Sequence, residues 1–252
     1  MTTQTQVSCA EFAHPVTEPE IVIIPAGPVM LGQPQFPHDS KLPHPWREQM
    51  QDVPAFGIAK HAVTVGEYLA FADATRYAIA PELRTDPRFR DLRSPVAFTS
   101  WIDATRYAQW LARVTGKPYR LVRDAEFEKA ARGGFEGKRF PWGDDSPDGR
   151  SDFNNPNGAP RHVGCFPPNG YGVNDMAGSM WSWCEETYEA VASDASKMCY
   201  DETRIRDMRL NPVCRGGSYK SVDPTVLWCA YRHEDPTDGR FDCIGFRLAL
   251  SQ

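Results

Sequence analysis

Long apolar runs are missing from this sequence. No stretch reaches the roughly 18 residues that a membrane-spanning helix needs, so a membrane is not an expected partner. Clustered Lys and Arg are missing too. The formal net charge is −5, with 28 basic and 33 acidic residues spread without blocks, which leaves no electrostatic footprint for nucleic acid. The start, Met1-Thr2-Thr3-Gln4-Thr5-Gln6-Val7-Ser8-Cys9, has neither the charged beginning nor the apolar stretch of a secretory signal, and a cytoplasmic location is the expectation. None of the seven cysteines (Cys9, Cys165, Cys184, Cys199, Cys214, Cys229 and Cys243) forms a CxxC pair, and no Cys/His group has zinc-finger spacing. A structural zinc is therefore not expected. In a reducing compartment the thiols are expected to stay free, mostly as small buried hydrophobes.

What the chain does contain is large apolar side chains and backbone breakers. The 7 Trp, 9 Tyr and 13 Phe can close a sizeable core, whereas 19 Gly and 22 Pro interrupt helices and central strands, so regular structure should be sparse. Residues 1–19 read as a polar tail, and residues 20–252 as a single domain without internal repeat or linker. Residues 21–32 have the pattern of two short strands forming a hairpin, and residues 33–46 that of a Pro/His-rich loop. Thr64 and Glu67 make a capping box ahead of Tyr68, Leu69, Phe71 and Ala72. Ser100 and Asp103 repeat it ahead of Ala104, Ala108 and Leu111, with Gly116 as the stop, and a third helix runs from Asp124 to Arg132 and ends at Gly133. The second half should be turns and short strands, among them residues 180–184 and 227–231.

Four segments then carry a specific resemblance. They are GKPYRLVRDAEFEKAARGG (residues 116–134), RFPWGDD (139–145), FPPNGYGVNDMAGSMWSW (166–183), and RGGSY followed by CAYR and IGFRLAL (215–219, 229–232 and 244–250). In this order and spacing the chain resembles the formylglycine-generating enzyme, or sulfatase-modifying factor, family over roughly residues 20–250. The resemblance implies an α+β, C-type-lectin-like fold with few strands and flanking helices. It also implies a site built on Gly216 and Gly217, which allow close backbone approach, on Trp181 and Trp183, and on the forked donors Arg215, Arg232 and Arg247.

The same resemblance marks this chain as divergent. In the family's formylglycine generators two cysteines follow the RGGS-aromatic motif and bind copper. Here Tyr219 is followed by Lys220, Ser221, Val222, Asp223, Pro224, Thr225 and Val226, and a hydroxyl does not replace a thiolate as a soft copper ligand. The family's calcium sites are eroded as well. Asn154 or Asn155, Asp175 and Gly178 keep ligand positions, while Ser179 and Ser182 stand where an Asn and a Glu are usual, so calcium would be held weakly. Whether copper or iron is held stays open. The histidines His14, His38, His44, His61, His162 and His233 form no local metal pair, and His233, beside Glu234 and Asp235, has the strongest claim to chemistry.

Two readings follow. One is an oxygen-dependent oxidoreductase acting on a small molecule or peptide, with catalytic groups among Trp181, Ser218, Ser221, Cys229, Arg232 and His233 and with Cys214 and Cys243 as further thiols. It requires those residues to converge in space. The other is a non-catalytic module that binds a ligand or a protein partner on a lectin-like frame, presenting Lys220, Asp223, Trp228 and Phe241.

Overall fold

The computed structural model describes residues 16–33, 48–187 and 211–251. Residues 34–46 of the expected loop, most of the N-terminal tail, His14, His38, His44, Cys9 and Cys199 lie outside the described residues.

The first sheet joins distant parts of the chain. Its order is β1 (Ile21–Ile24), β4 (Phe56–Ala59), β10 (Leu248–Leu250), β5 (Tyr119–Leu121), all antiparallel. A separate ribbon pairs β2 (Gly27–Leu31) with β3 (Gln49–Val53). The two strands of residues 21–32 therefore exist, but they do not pair with each other as expected. The reason is local: Pro25 and Ala26 join them, and a two-residue hairpin needs positive φ, which the proline ring forbids. Each strand finds a partner elsewhere, β1 on the fully buried β4 and β2 on β3.

The helices form where the capping residues place them. In α1 (Val65–Thr75) Thr64 Oγ1 accepts from the Glu67 N–H at 3.2 Å, and Glu67 Oε2 accepts from the Thr64 N–H at 2.7 Å. After the short α2 (Glu82–Thr85), α3 (Trp101–Thr115) repeats this with Ser100 and Asp103 and stops at Gly116, whose φ of 70° suits glycine. α4 (Asp124–Arg132) ends at Gly133 in the same way. Between α1 and α3 an aromatic mesh fills the main core. Phe71 meets Tyr107 at 5.5 Å between ring centroids, and Tyr107 meets Phe246 at 5.4 Å. Amphipathic stripes three and four residues apart put these rings on facing helix sides.

The second sheet positions the candidate site. Its order is β8 (Arg232–Glu234), β7 (Pro212–Arg215), β6 (Trp181–Thr187), β9 (Ile244–Phe246), with β6 and β9 parallel. Two indoles lock β6 to the start of α3: Trp183 Nε1 donates to Thr99 O at 2.9 Å, and Trp101 Nε1 donates to Cys184 O at 2.8 Å. β9 lies so close to the loop behind it that a Cβ on Gly245 would sit 2.3 Å from Val96 O. A backbone carbonyl cannot rotate away, so Gly245→Ala is expected to lower stability by about 2–4 kcal/mol, read as a drop in the urea midpoint at unchanged m-value.

The expected strand at 227–231 is not there. Asp223 caps a 3-10 turn at Pro224–Leu227, its carboxylate accepting from the Thr225 N–H at 2.9 Å, and extended structure begins only at Arg232. Proline at the first position of a helical turn favours this over a strand. Trp228, expected on the surface, is buried behind that turn. Among the described residues no helix is long and apolar enough to cross a membrane.

Candidate functional site

Where β7 ends, Arg215 and two glycines turn the chain sharply. Gly216 and Gly217 have φ of 95° and 72°, and a Cβ on Gly217 would lie 2.6 Å from Leu227 Cδ2, so both conformation and space favour glycine there. The turn is closed by hydroxyls. Ser221 Oγ accepts from the Ser218 N–H at 3.0 Å and lies 3.4 Å from Ser218 Oγ, while the Ser221 N–H donates to Ser218 O at 3.0 Å. The next layer of backbone holds this turn: the Asn154 and Asn155 N–H groups donate to Ser221 O and Tyr219 O, and the Tyr219 N–H donates to Ser179 O at 2.8 Å.

Beside the turn lies a charged network that the sequence did not single out. Arg88 Nη1 donates to the Tyr219 hydroxyl at 3.2 Å and to Asp242 Oδ2 at 2.7 Å, and Arg88 also forks onto Asp86. Lys220 pairs with the same Asp242. Burial pushes the Asp242 carboxyl up, but Lys220 and Arg88 more than reverse this and hold it below the usual carboxylate range. Arg88 and Asp242 are 154 positions apart in the chain, so only the fold brings them together.

The start of β6 supports a second group. The Trp181 N–H donates to Cys243 O at 3.0 Å, and the indole meets the His233 ring at 5.3 Å and the Tyr231 ring at 5.9 Å between centroids. His233 and Asp235 are two residues apart along an extended segment, which puts them on one face. His233 Nε2 is 3.1 Å from Asp235 Oδ2. With its side chain 44% exposed, the imidazole can be reached from solvent with the Asp235 carboxylate beside it.

These motifs have a wider match. The family described as the sulfatase-modifying factor enzyme 1-like domain matches residues 7–252. The chain belongs to this family. It is similar to the formylglycine-generating enzyme of Streptomyces coelicolor, 34% identical over 179 residues that cover 62% of this chain and 52% of that protein. It is also similar to the inactive C-alpha-formylglycine-generating enzyme 2 of Mus musculus, 35% identical over 176 residues that cover 64% and 50%. The solved structure of PvdO from Pseudomonas aeruginosa superposes with a TM-score of 0.78 at 27% identity, covering 93% of this chain and 95% of that one. The chain thus has the α+β fold of the sulfatase-modifying factor family. It spans about a quarter to a half of the length of the curated relatives it matches.

Within this family member the six residues singled out for chemistry divide. Trp181 and His233 are brought together, and so are Ser218 and Ser221, on either side of the β6 start. Arg232 faces away from His233 and pairs with Asp124 at 3.2 Å, joining Arg215, Asp124 and Glu128 in a buried ion cluster. Cys229 is buried among apolar side chains, and burial pushes its thiol up to about 12, which keeps it protonated and inert at neutral pH. Cys243 is pushed up to about 11 and Cys214, fully buried, well up, so these thiols also stay protonated.

The donor sets for the family's metals can be tested atom by atom. At the copper position Ser221 spends its hydroxyl closing the turn, and Val226 lies in the 3-10 turn with no donor side chain, so copper held by a cysteine pair does not fit. At the calcium positions the carboxylates are occupied by the protein itself. Asp175, at φ 55°, accepts from the Gly164 N–H at 2.7 Å, and Asp152 accepts from Asn155 Nδ2 and the Arg161 N–H, each at 2.7 Å. Asn154 offers its backbone N–H to Ser221 O, and Gly178 is pressed so close to Asp152 that a Cβ would lie 2.5 Å from its carbonyl. Ser182 Oγ is buried without a hydrogen-bond partner, in place of a carboxylate. Burial pushes both the Asp152 and the Asp175 carboxyls above the usual range. Among the described residues no group of three or more His, Cys, Asp or Glu is placed to hold a metal ion.

Proposed function

We propose that this chain is an oxygen-dependent oxidoreductase-type member of its family that acts on a small molecule or peptide, without the copper-binding cysteine pair of formylglycine generators. One observation carries the reading: a solvent-reachable imidazole, its Nε2 3.1 Å from Asp235 Oδ2, lies against the Trp181 ring. Oxidation of an organic donor releases protons as electrons pass to oxygen, and a base must take them. A neutral imidazole has one ring nitrogen free to take such a proton, and the Asp235 carboxylate beside it stabilises the imidazolium once formed. Tyr231, tilted 45° to the buried Trp181 ring, supplies the apolar side of this spot.

Loss of a positioned base typically lowers turnover by about 10²–10⁴-fold. His233→Gln should therefore abolish oxygen uptake measured with thiol, phenol and cysteine-peptide donors on protein purified without chelator. Asp235→Asn should retain part of it, with the pH profile displaced. Uptake no greater than that of heat-inactivated protein across those donors would favour the second reading, a ligand- or protein-binding module. That reading draws on the Ser221 replacement and on the similarity to a relative named inactive.

A further inference from the structure

A cavity of about 670 Å³ opens away from Trp181, Ser218 and His233, none of which lines it. Its volume is that of a site for a small organic molecule. Aromatic side chains Phe135, Trp142 and Phe166 and the prolines Pro141, Pro167 and Pro168 form its apolar walls. The walls are held in shape before any ligand arrives. Asn169 spends its whole amide on the loop: Nδ2 donates to Ala130 O at 2.7 Å, and Oδ1 accepts from the Tyr171 and Val173 N–H groups. Gly170 is packed on α4 so tightly that a Cβ would lie 2.2 Å from Gly133 O. Trp142 stacks on Phe140 at 5.2 Å with the rings 5° from parallel.

The polar groups of the cavity are few and unequal in charge. Arg150 pairs with Asp145, outside the cavity, at 2.9 Å. Asp148 accepts from Ser146 Oγ at 2.7 Å and makes no ion pair among the described residues. Asp175 adds a second carboxylate, 4.0 Å from His61 Nδ1 and bonded to a backbone N–H. Ser151 also lines the cavity, but its Oγ is turned in against Gly178 and closed off from the open space.

From this geometry we infer a binding site for an organic ammonium ion: a primary or secondary amine carried on an aromatic or aliphatic body. The body fills the Phe135, Trp142 and Phe166 walls. The ammonium N–H groups bond the Asp148 carboxylate, and the ring faces attract the positive charge. An anion is disfavoured by the two carboxylates. A neutral molecule of the same shape gains the wall contacts but not the charge contribution. This inference does not depend on the oxidoreductase reading, because it uses none of the residues assigned there.

The test is titration calorimetry on the full chain at about 0.15 M salt, a strength at which exposed charges are screened beyond roughly 8 Å. Three probes of one shape are compared: phenethylamine, phenethyl alcohol and phenylpropionate. The amine should bind at least about tenfold more tightly than the alcohol, with the carboxylate weakest. Trp142→Leu should weaken all probes by about tenfold or more. Asp148→Asn, at an exposed position that leaves folding intact, should bring the amine down to the affinity of the alcohol. The site assignment is overturned if none of the probes binds, if the carboxylate binds as tightly as the amine, or if Asp148→Asn leaves the amine preference unchanged.

Discussion

Replacing Arg215 by Met is expected to lower the stability of the fold by about 3–5 kcal/mol, a large share of the roughly 5–15 kcal/mol that holds a domain together. The guanidinium is 1% exposed. It lies 3.0 Å from Asp124 Oδ1 and 2.6 Å from Glu128 Oε2, and it donates to Tyr231 O at 2.6 Å. Methionine fills a similar volume, so the loss is not one of packing. What remains are two buried carboxylates that have each lost one of two arginine partners: Glu128 keeps Arg132 at 2.6 Å and the Gly32 N–H at 2.8 Å, and Asp124 keeps Arg232. Urea denaturation of the single variant, of Glu128→Gln and of the double variant measures this directly. The double variant should be less destabilised than the sum of the singles, because the second change removes a charge that the first left with one arginine partner fewer. Additive effects would mean that the two groups do not interact, contrary to the geometry.

The sequence revealed this fold unevenly, and the division follows contact range. The boxes Thr64/Glu67 and Ser100/Asp103 and the stops at Gly116 and Gly133 could be read because each involves residues within one helical turn. The shared face of His233 and Asp235 follows from the two-residue period of extended chain. Strand partners could not be read. β10 inserts between β4 and β5 from the far end of the chain, and nothing local in residues 21–32 says that Pro25 divides two ribbons instead of turning one hairpin. Cys229 and Trp228 were misjudged for a related reason: their apolar run resembles a strand, and the cap that makes it a turn lies upstream at Asp223 and Pro224. The Arg88, Tyr219, Asp242 and Lys220 network has no sequence signature, since its members come from three separate loops. The cavity walls were equally hidden, although RFPWGDD and FPPNGYG, two of the segments that carry the family resemblance, supply most of them.

Raising the pH from 4.5 to 8 should weaken the protein through Glu186. Burial is the main cause pushing this carboxyl up, to about 7, and the neighbouring Asp124 charge adds to it; the bond that Glu186 Oε2 accepts from the Asp124 N–H at 2.8 Å only partly opposes them. The folded state therefore holds the proton more tightly than the unfolded chain, whose value is near 4.5. The resulting stability is complete below the unfolded value and is lost as pH climbs through the folded one. At about 1.36 kcal/mol per pH unit the difference amounts to roughly 3 kcal/mol, less whatever solvent access remains at the carboxyl. Carboxylates held low, such as Asp86, Asp144 and Asp242, slope the other way and are lost on acidification. The effect is thus isolated only as a difference between proteins. Glu186→Gln keeps an acceptor for the Asp124 N–H and removes the titration, so its stability minus that of the parent should be near zero at pH 4.5 and grow to roughly 2–3 kcal/mol by pH 8. A difference that stays flat with pH would mean that Glu186 titrates as an ordinary exposed carboxyl. The acidic end of β6 would then carry no strain for the Arg215 cluster, which shares Asp124 with it, to offset.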